Sequence, residues 1–329
     1  MMQSQDRSFD VDKIRVAVVG AGQFGRNHVR VARQAERAEL VAVVDIDATR
    51  AAEAAEGCLA LSDYRDLRGR VDAAIVAAPT VAHAEIGCAL MQAGIDVLVE
   101  KPIAPDLESA SQLIETARAH GCILQVGHLE RYNPAVAALE QTVTHPLFFE
   151  IHRLNLFSPR SLDVDIVLDL MIHDLDIVLH LVGEAKLEEI RAAGISILSQ
   201  KVDIGNVRLQ FSGGCVANLT ASRVSTERVR KLRLFQPQEY ISLDYGKQHA
   251  VRFRVGADRQ ISFAELPAAK GEPLALQFEA FLSSVETRSE PKLNGGVARR
   301  TLEVALAILD KMKEHSEVVA QSLVTGWTP

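Results

Sequence analysis

The segment Ile14 to Val19 is a β-prone apolar run that passes directly into Gly20 Ala21 Gly22 Gln23 Phe24 Gly25 and then into an amphipathic stretch. A strand, a G-x-G-x-x-G turn and a helix in that order point to a parallel α/β sheet that cradles a dinucleotide. Gly20 permits the tight turn, Gly22 lets the backbone approach a pyrophosphate, and Gly25 allows the helix to lie close on the strand. Gln23 and Phe24 then open a helix whose N-terminus offers unpaired N–H groups and a favourable dipole to the phosphates. A second β-prone run, Leu40 to Val44, ends at Asp45. A carboxylate about 20 residues beyond the glycines accepts from ribose hydroxyls and repels a 2′-phosphate. No Arg directly follows Asp45, so NAD is expected rather than NADP. The bland alternative is a glycine-rich turn that binds no nucleotide.

The pattern repeats through about residue 126. Strand candidates are Ile14 to Val19, Leu40 to Val44, Ala73 to Ala77, Ile95 to Val99 and Ile123 to Val126, and helix candidates are Gln23 to Ala35, Ala48 to Glu56, Val81 to Gln92 and Leu107 to His120. That alternation reads as a doubly wound parallel sheet of Rossmann type. After Tyr132 Asn133 Pro134 the chain turns to long alternating segments, Val202 to Phe211, Cys215 to Val224 and Arg228 to Phe235, with helical patterns again at Leu274 to Ser284 and Val297 to His315. We therefore expect a dinucleotide-binding domain over 1–128 and an α+β domain with an open, mainly antiparallel sheet over 129–329, whose last helices can pack back on the first domain. A length of 329 residues suits two such domains.

Composition removes several other classes. The net charge of −7 comes with no Lys/Arg stripe interleaved with aromatics, so nucleic acid is not an expected partner. No stretch has the apolar length of a membrane span, and the polar opening from Met1 to Lys13 lacks a signal-peptide core. A cytoplasmic protein is expected. Cys58, Cys88, Cys122 and Cys215 are isolated, without the short pairs of zinc or redox sites, and read as reduced thiols.

Two places carry reaction chemistry. Glu100 Lys101 Pro102 closes the strand around Val97 to Val99. Pro102 biases Lys101 to an extended backbone at the carboxyl edge of the sheet, where ligands of such folds bind. A lysine there can donate to a substrate hydroxyl or a developing alkoxide, and the alternative is a solvated surface lysine. The second place is Asp165 to Val182, apolar except for Asp165, Asp169, His173, Asp176 and His180, with Asp174 beside them. The spacing puts the first five on one helix face. An ordinary wet face would favour Lys, Glu, Gln and Arg, whereas Asp and His are poor helix formers, so the stripe points to a site. Asp169 and His173 read as orienter and base, with His173 removing a hydroxyl proton as a hydride leaves the same carbon. His180 reads as structural, and no third ligand accompanies the pair to make a metal site.

Pro79 and Thr80, with Thr80 as a helix cap, and His83 follow the strand at Ala73 to Ala77 and can face the cofactor. His83 can equally be a helix-start residue with no ligand. Arg131 and Asn133 lie where the chain passes between domains and either contact substrate or hold the domains together.

These residues resemble the glucose-fructose oxidoreductase / inositol dehydrogenase family (Gfo/Idh/MocA) over nearly the whole chain. The likeness rests on the glycine motif, on Glu100 Lys101 Pro102, and on Asp169 with His173 in a D-x-x-x-H. It implies Lys101, Asp169 and His173 as the catalytic set of a dehydrogenase with no metal, and an open sheet that often makes the oligomer contact, so a homodimer or homotetramer. Many relatives carry glycines before the Asp and between Asp and His. This chain has Val164 Asp165 Ile166 Val167 Leu168 before Asp169 and Met171 after it, which makes inositol and simple sugars less attractive substrates. Val167 to Asp174, with Gly127 His128 Leu129 Glu130 Arg131 Tyr132 Asn133 Pro134, is similar to the branch that oxidises the 3-hydroxyl of UDP-N-acetylglucosamine on the way to an amide-linked lipid A precursor. A diphosphate would need cations, and Arg131, Arg153, Arg160 and Arg223 are available in the second domain. Dehydrogenation of another sugar, cyclitol or polyol, and a non-catalytic NAD-binding regulator, are the alternatives.

Overall fold

The computed structural model describes residues 13–157, 164–199 and 201–324. The residues from Ile14 to Gly127 lay down a parallel sheet, because each β-branched run is too short and too apolar to remain solvated and the connecting helices cover it. Its strands are β1 (Ile14–Val19), β2 (Ala38–Val44), β3 (Leu59–Leu61), β4 (Ala73–Val76), β5 (Asp96–Glu100) and β6 (Leu124–Gly127), ordered β3-β2-β1-β4-β5-β6. The helices are α1 (Gln23–Gln34), α2 (Ala48–Ala55), α3 (His83–Gln92) and α4 (Leu107–His120). Val16, Val18, Ile75, Val97 and Leu98 are fully buried, as strands covered on both faces must be. β1 lies between β2 and β4, so the strand order reverses there and opens a crevice at the carboxyl ends. The short edge strand β3 is an element that the alternation of apolar runs did not announce.

The second sheet has eight strands. After α5 (Pro134–Glu140) come β7 (Phe148–Leu156), then α6 (Ile172–Leu181), β8 (Leu187–Ile195), β9 (Ile204–Phe211), β10 (Val216–Ser225), β11 (Val229–Gln236), β12 (Glu239–Asp244), β13 (His249–Val255) and β14 (Ile261–Glu265). The order is β14-β13-β12-β11-β7-β10-β9-β8, antiparallel throughout its assigned pairs except between β7 and β10. Two further helices complete the chain, α7 (Pro273–Thr287) and α8 (Gly295–Val324).

One sheet face carries Phe149, Ile151, Leu219, Leu232 and Leu243 into a core shared with α6 and α8. The other carries an aromatic ladder, Phe148–Phe235–Tyr240–Phe253–Phe263, with successive ring centroids 4.8 to 5.8 Å apart. Phe263 remains 58% exposed.

The compact units do not follow a single cut after 128. One comprises 1–100, 112–125 and 278–294, and the other 101–111, 126–277 and 295–329. Within the first, Arg37 from the β1–β2 region pairs with Glu286 at 2.6 Å and Arg288 bonds Asp96 and the Gly121 carbonyl, so the end of α7 is fastened to the Rossmann sheet. The four cysteines are free thiols. No helix among the described residues is long and apolar enough to cross a membrane.

Candidate active site

The glycine turn is built as its residue types require. Gly20 has a φ of +101°, and a Cβ there would meet the Ala77 carbonyl oxygen at 2.5 Å. A Cβ on Gly25 would collide with the Gly20 carbonyl, whereas one on Gly22 would meet nothing within 4 Å. Gly22 also starts α1 with no side chain bonded to the first-turn N–H groups, which leaves an electropositive helix end open. Beside it lies a cleft of about 560 Å³ lined by Gly20, Gly22, Gln23, Phe24, Asp45 and Pro79 among others. The Asp45 carboxylate accepts from Ala21 N–H at 2.7 Å and Asp47 N–H at 2.9 Å. It therefore holds the turn in shape, and each oxygen retains a lone pair for a ribose hydroxyl. Open backbone, helix end and carboxylate together fit a dinucleotide.

Other expected cofactor contacts have different duties. His83 is buried and its Nε2 bonds the Ala78 carbonyl at 2.9 Å, which ties down the turn that follows β4 instead of lining the cleft. Thr80 begins a 3-10 turn, Thr80–Ala82, whose N-cap is Pro79, so it is not a helix cap. Glu100 is buried against His28 of α1 at 2.7 Å, beneath the sheet's carboxyl edge rather than in the cleft. Gly25 acts by packing.

The three residues expected to carry the reaction all fall in the second unit. Lys101, which follows directly on β5 across a cis peptide to Pro102 on its other side, sends its Nζ to the Asp169 carbonyl at 2.7 Å and carboxylate at 3.3 Å. Asp169 belongs to a π-helical turn, Val167–Met171, that precedes α6. The wider turn takes in about one extra residue, so the expected single α-helical stripe is broken and Asp169 is paired with Lys101, not with the His173 ring four residues on. The His173 Nδ1 is buried without a hydrogen-bond partner, and its ring lies edge-on to His128 with centroids 6.5 Å apart. Burial first, then the cations Lys101 and Arg153, hold its pKa well below the ordinary histidine value. The same causes favour the uncharged imidazole, the form that a general base must have.

Three expected substrate contacts are corrected by the structure. Arg153 is 2% exposed and gives two bonds to Asp174, at 2.7 and 2.8 Å, and one to Glu130 at 3.1 Å. Burial alone would lower its guanidinium, and Asp174 and Glu130 more than offset that. Arg131 is buried between Glu140 at 3.2 Å and Asp176 at 3.5 Å. Asn133 caps α5 by accepting from Ala135 N–H and donates to Glu130 and the Tyr245 carbonyl. Their polar atoms are used inside the protein because burial leaves no water to satisfy them. Arg223 likewise donates to the Val164 and Val202 carbonyls. Arg160 lies outside the described residues. His180 pairs with Glu140 and Asp165 with Lys201, both away from the Lys101–Asp169 pair. Among the described residues no group of three His, Cys, Asp or Glu side chains is placed to hold a metal ion. The buried Arg153–Asp174–Glu130 triad went unread, although Glu130 and Asp174 sit in the two segments singled out by their motifs.

The family described as an oxidoreductase family with an NAD-binding Rossmann fold matches residues 14–128. A UDP-N-acetylglucosamine 3-dehydrogenase of Acidithiobacillus ferrooxidans is 35% identical over 90% of this chain and 96% of its own length. This chain belongs to the Gfo/Idh/MocA oxidoreductase family. It is an NAD-dependent dehydrogenase of that fold. The solved structure of the Acidithiobacillus ferrooxidans enzyme superposes with a TM-score of 0.87, covering 93% of this chain and 99% of that one. An inositol 2-dehydrogenase of an Arthrobacter species is 32% identical over 53% of this chain and 55% of its own. A levoglucosan dehydrogenase in complex with NADH, 17% identical, shares the fold at a TM-score of 0.83 over 92% of this chain and 98% of its own.

Proposed function

We propose that this chain oxidises a secondary hydroxyl of a nucleotide sugar, the 3-hydroxyl of UDP-N-acetylglucosamine, with NAD. The observation that carries the chemistry is Lys101 bonded to Asp169, with a buried His173 whose Nδ1 has no hydrogen-bond partner in the same unit. His173 takes the hydroxyl proton. Lys101 donates to the same oxygen as alkoxide character develops, and its bonds to the Asp169 carbonyl and carboxylate hold the amine in place. Bound at the glycine turn by Gly20, Gly22, Gln23, Phe24, Asp45 and Pro79, NAD supplies the hydride acceptor. The nucleotide-sugar assignment is supported by full-length similarity to a UDP-N-acetylglucosamine 3-dehydrogenase. Partial-length similarity to inositol 2-dehydrogenases keeps cyclitols as the second reading.

We further assign a cytoplasmic homodimer or homotetramer that pairs through the aromatic ladder, since so large an exposed aromatic face is unusual on a monomer.

The test is NADH formation from NAD and UDP-N-acetylglucosamine in the presence of a carbonyl trap. Activity that disappears in His173→Ala with NAD binding intact supports the reading. No activity on the nucleotide sugar alongside turnover of myo-inositol refutes the substrate, and full activity in His173→Ala refutes the base.

A further inference from the structure

The inward face of the second sheet ends in polar side chains near His173. β7 and β11 pair antiparallel with Arg153 directly opposite Arg230, one inward pair beyond Ile151 and Leu232. Two like charges opposed across strands disfavour that pairing. Arg153 is answered twice, by Asp174 and Glu130. Arg230 is not: its Nε is buried without a hydrogen-bond partner, and among the described residues no carboxylate is within ion-pairing distance of it. The charged groups facing it are Arg153, Arg228, Glu130 and Asp174, and both carboxylates are already bonded to Arg153.

Burial and the neighbouring Arg153 push the Arg230 guanidinium down, so the fold holds this cation at a cost. Arg230 is also one of the cations that act on His173. Asn155, two residues beyond Arg153 on the same face of β7, has a buried Oδ1 with no donor, and the His173 Nδ1 is likewise unsatisfied. Unmet groups of this kind at one end of a sheet require an explanation. A ligand bringing anionic oxygens and hydroxyl donors would satisfy them.

We propose that Arg230 anchors an anionic group of the substrate, a phosphate of the nucleotide diphosphate, and selects charged over neutral sugars. This rests on the nucleotide-sugar reading above. With Arg131 and Arg153 committed to internal ion pairs, Arg230 is a cation of this face with donors to spare, and a charge-assisted bond to phosphate is the strong kind.

The test compares wild type, Arg230→Gln and Arg230→Lys in binding of UDP and in turnover of UDP-N-acetylglucosamine. R230Q is expected to weaken UDP binding and raise KM about 10- to 100-fold, with a smaller change in kcat and unchanged NADH affinity. R230K should recover part of the loss. Unliganded R230Q should melt no lower than wild type, because it sheds a half-buried cation opposite Arg153. A lower melting temperature in both variants with unchanged UDP affinity would mean a structural arginine and overturn the proposal. Wild-type turnover with an unaltered KM in R230Q overturns the Arg230 assignment alone. A wild type that binds neither UDP nor UDP-N-acetylglucosamine overturns the nucleotide-sugar reading, and the diphosphate anchor with it.

Discussion

Asp174→Asn tests how the buried Arg153 is held. The wild-type carboxylate takes two bonds from Arg153 at 2.7 and 2.8 Å with both side chains almost fully buried. Removing one partner of a buried ion pair costs about 3–5 kcal/mol, mostly by stranding the other charge. Here the asparagine oxygen still accepts one bond and Glu130 still faces Arg153 at 3.1 Å, so the low end, about 3 kcal/mol, is expected. That is a large share of the roughly 5–15 kcal/mol that holds a folded domain together. Glu130→Gln should cost less, because Glu130 meets Arg153 through a single bond. The double variant should lose about 1 kcal/mol more than the sum of the singles, since Arg153 then has no counter-charge and faces Arg230. The measurement is urea unfolding followed by far-UV circular dichroism, with NADH binding tracked in parallel because two compact units can unfold in separate steps. A D174N protein within about 1 kcal/mol of wild type, or strictly additive variants, would refute the reasoning.

Further outcomes are expected elsewhere. The acid limb of kcat/KM should lie below the ordinary histidine range, since His173 must be neutral to act and its pKa is lowered by burial and then by Lys101. Lys101→Met, on its residual rate, should move that limb upward without reaching an unperturbed histidine, because burial is the larger cause. A limb that stays put removes Lys101 from the electrostatics of the base. Gly25→Ala should abolish NAD binding, its Cβ colliding with the Gly20 carbonyl, and Asp45→Ala should raise the NADP to NAD preference in a binding titration.

Asp203 has no exposed surface and accepts from the N–H groups of Ile197, Leu198 and Ser199. Burial would raise its carboxyl, but these bonds and one from the Ser199 hydroxyl bring it down to about 2 from 3.8. The lowered value adds stability above pH 4 that disappears as pH falls toward 2. Asp203→Asn should therefore cost about 2 kcal/mol at neutral pH and flatten the acid side of the stability profile. An unchanged slope between pH 4 and 2 would contradict the assignment.

Local pattern was enough to place β1 and α4 at their observed ends, because each is bounded by a glycine or capping signal close in sequence. It was not enough for β3, whose apolar run Leu59–Leu61 at a sheet edge is too short to show a strand period. The segment from Asp165 to Val182 shows the same limit within one element. Its spacing assumed an α-helix throughout, whereas the structure has a π turn at Val167–Met171 and bonds Asp169 to Lys101, 68 residues away.

The sequence by itself determined the Rossmann unit and its glycine turn, because glycine geometry and strand and helix periodicity are local properties. Which arginine is spent and which is spare was decided by tertiary structure alone. Arg131, Arg153 and Arg230 are the same residue type, and only folding brings carboxylates to the first two while setting Arg230 across a strand from another cation. Long-range pairing and burial, which set the energy of a buried charge, leave no mark in the neighbouring residues.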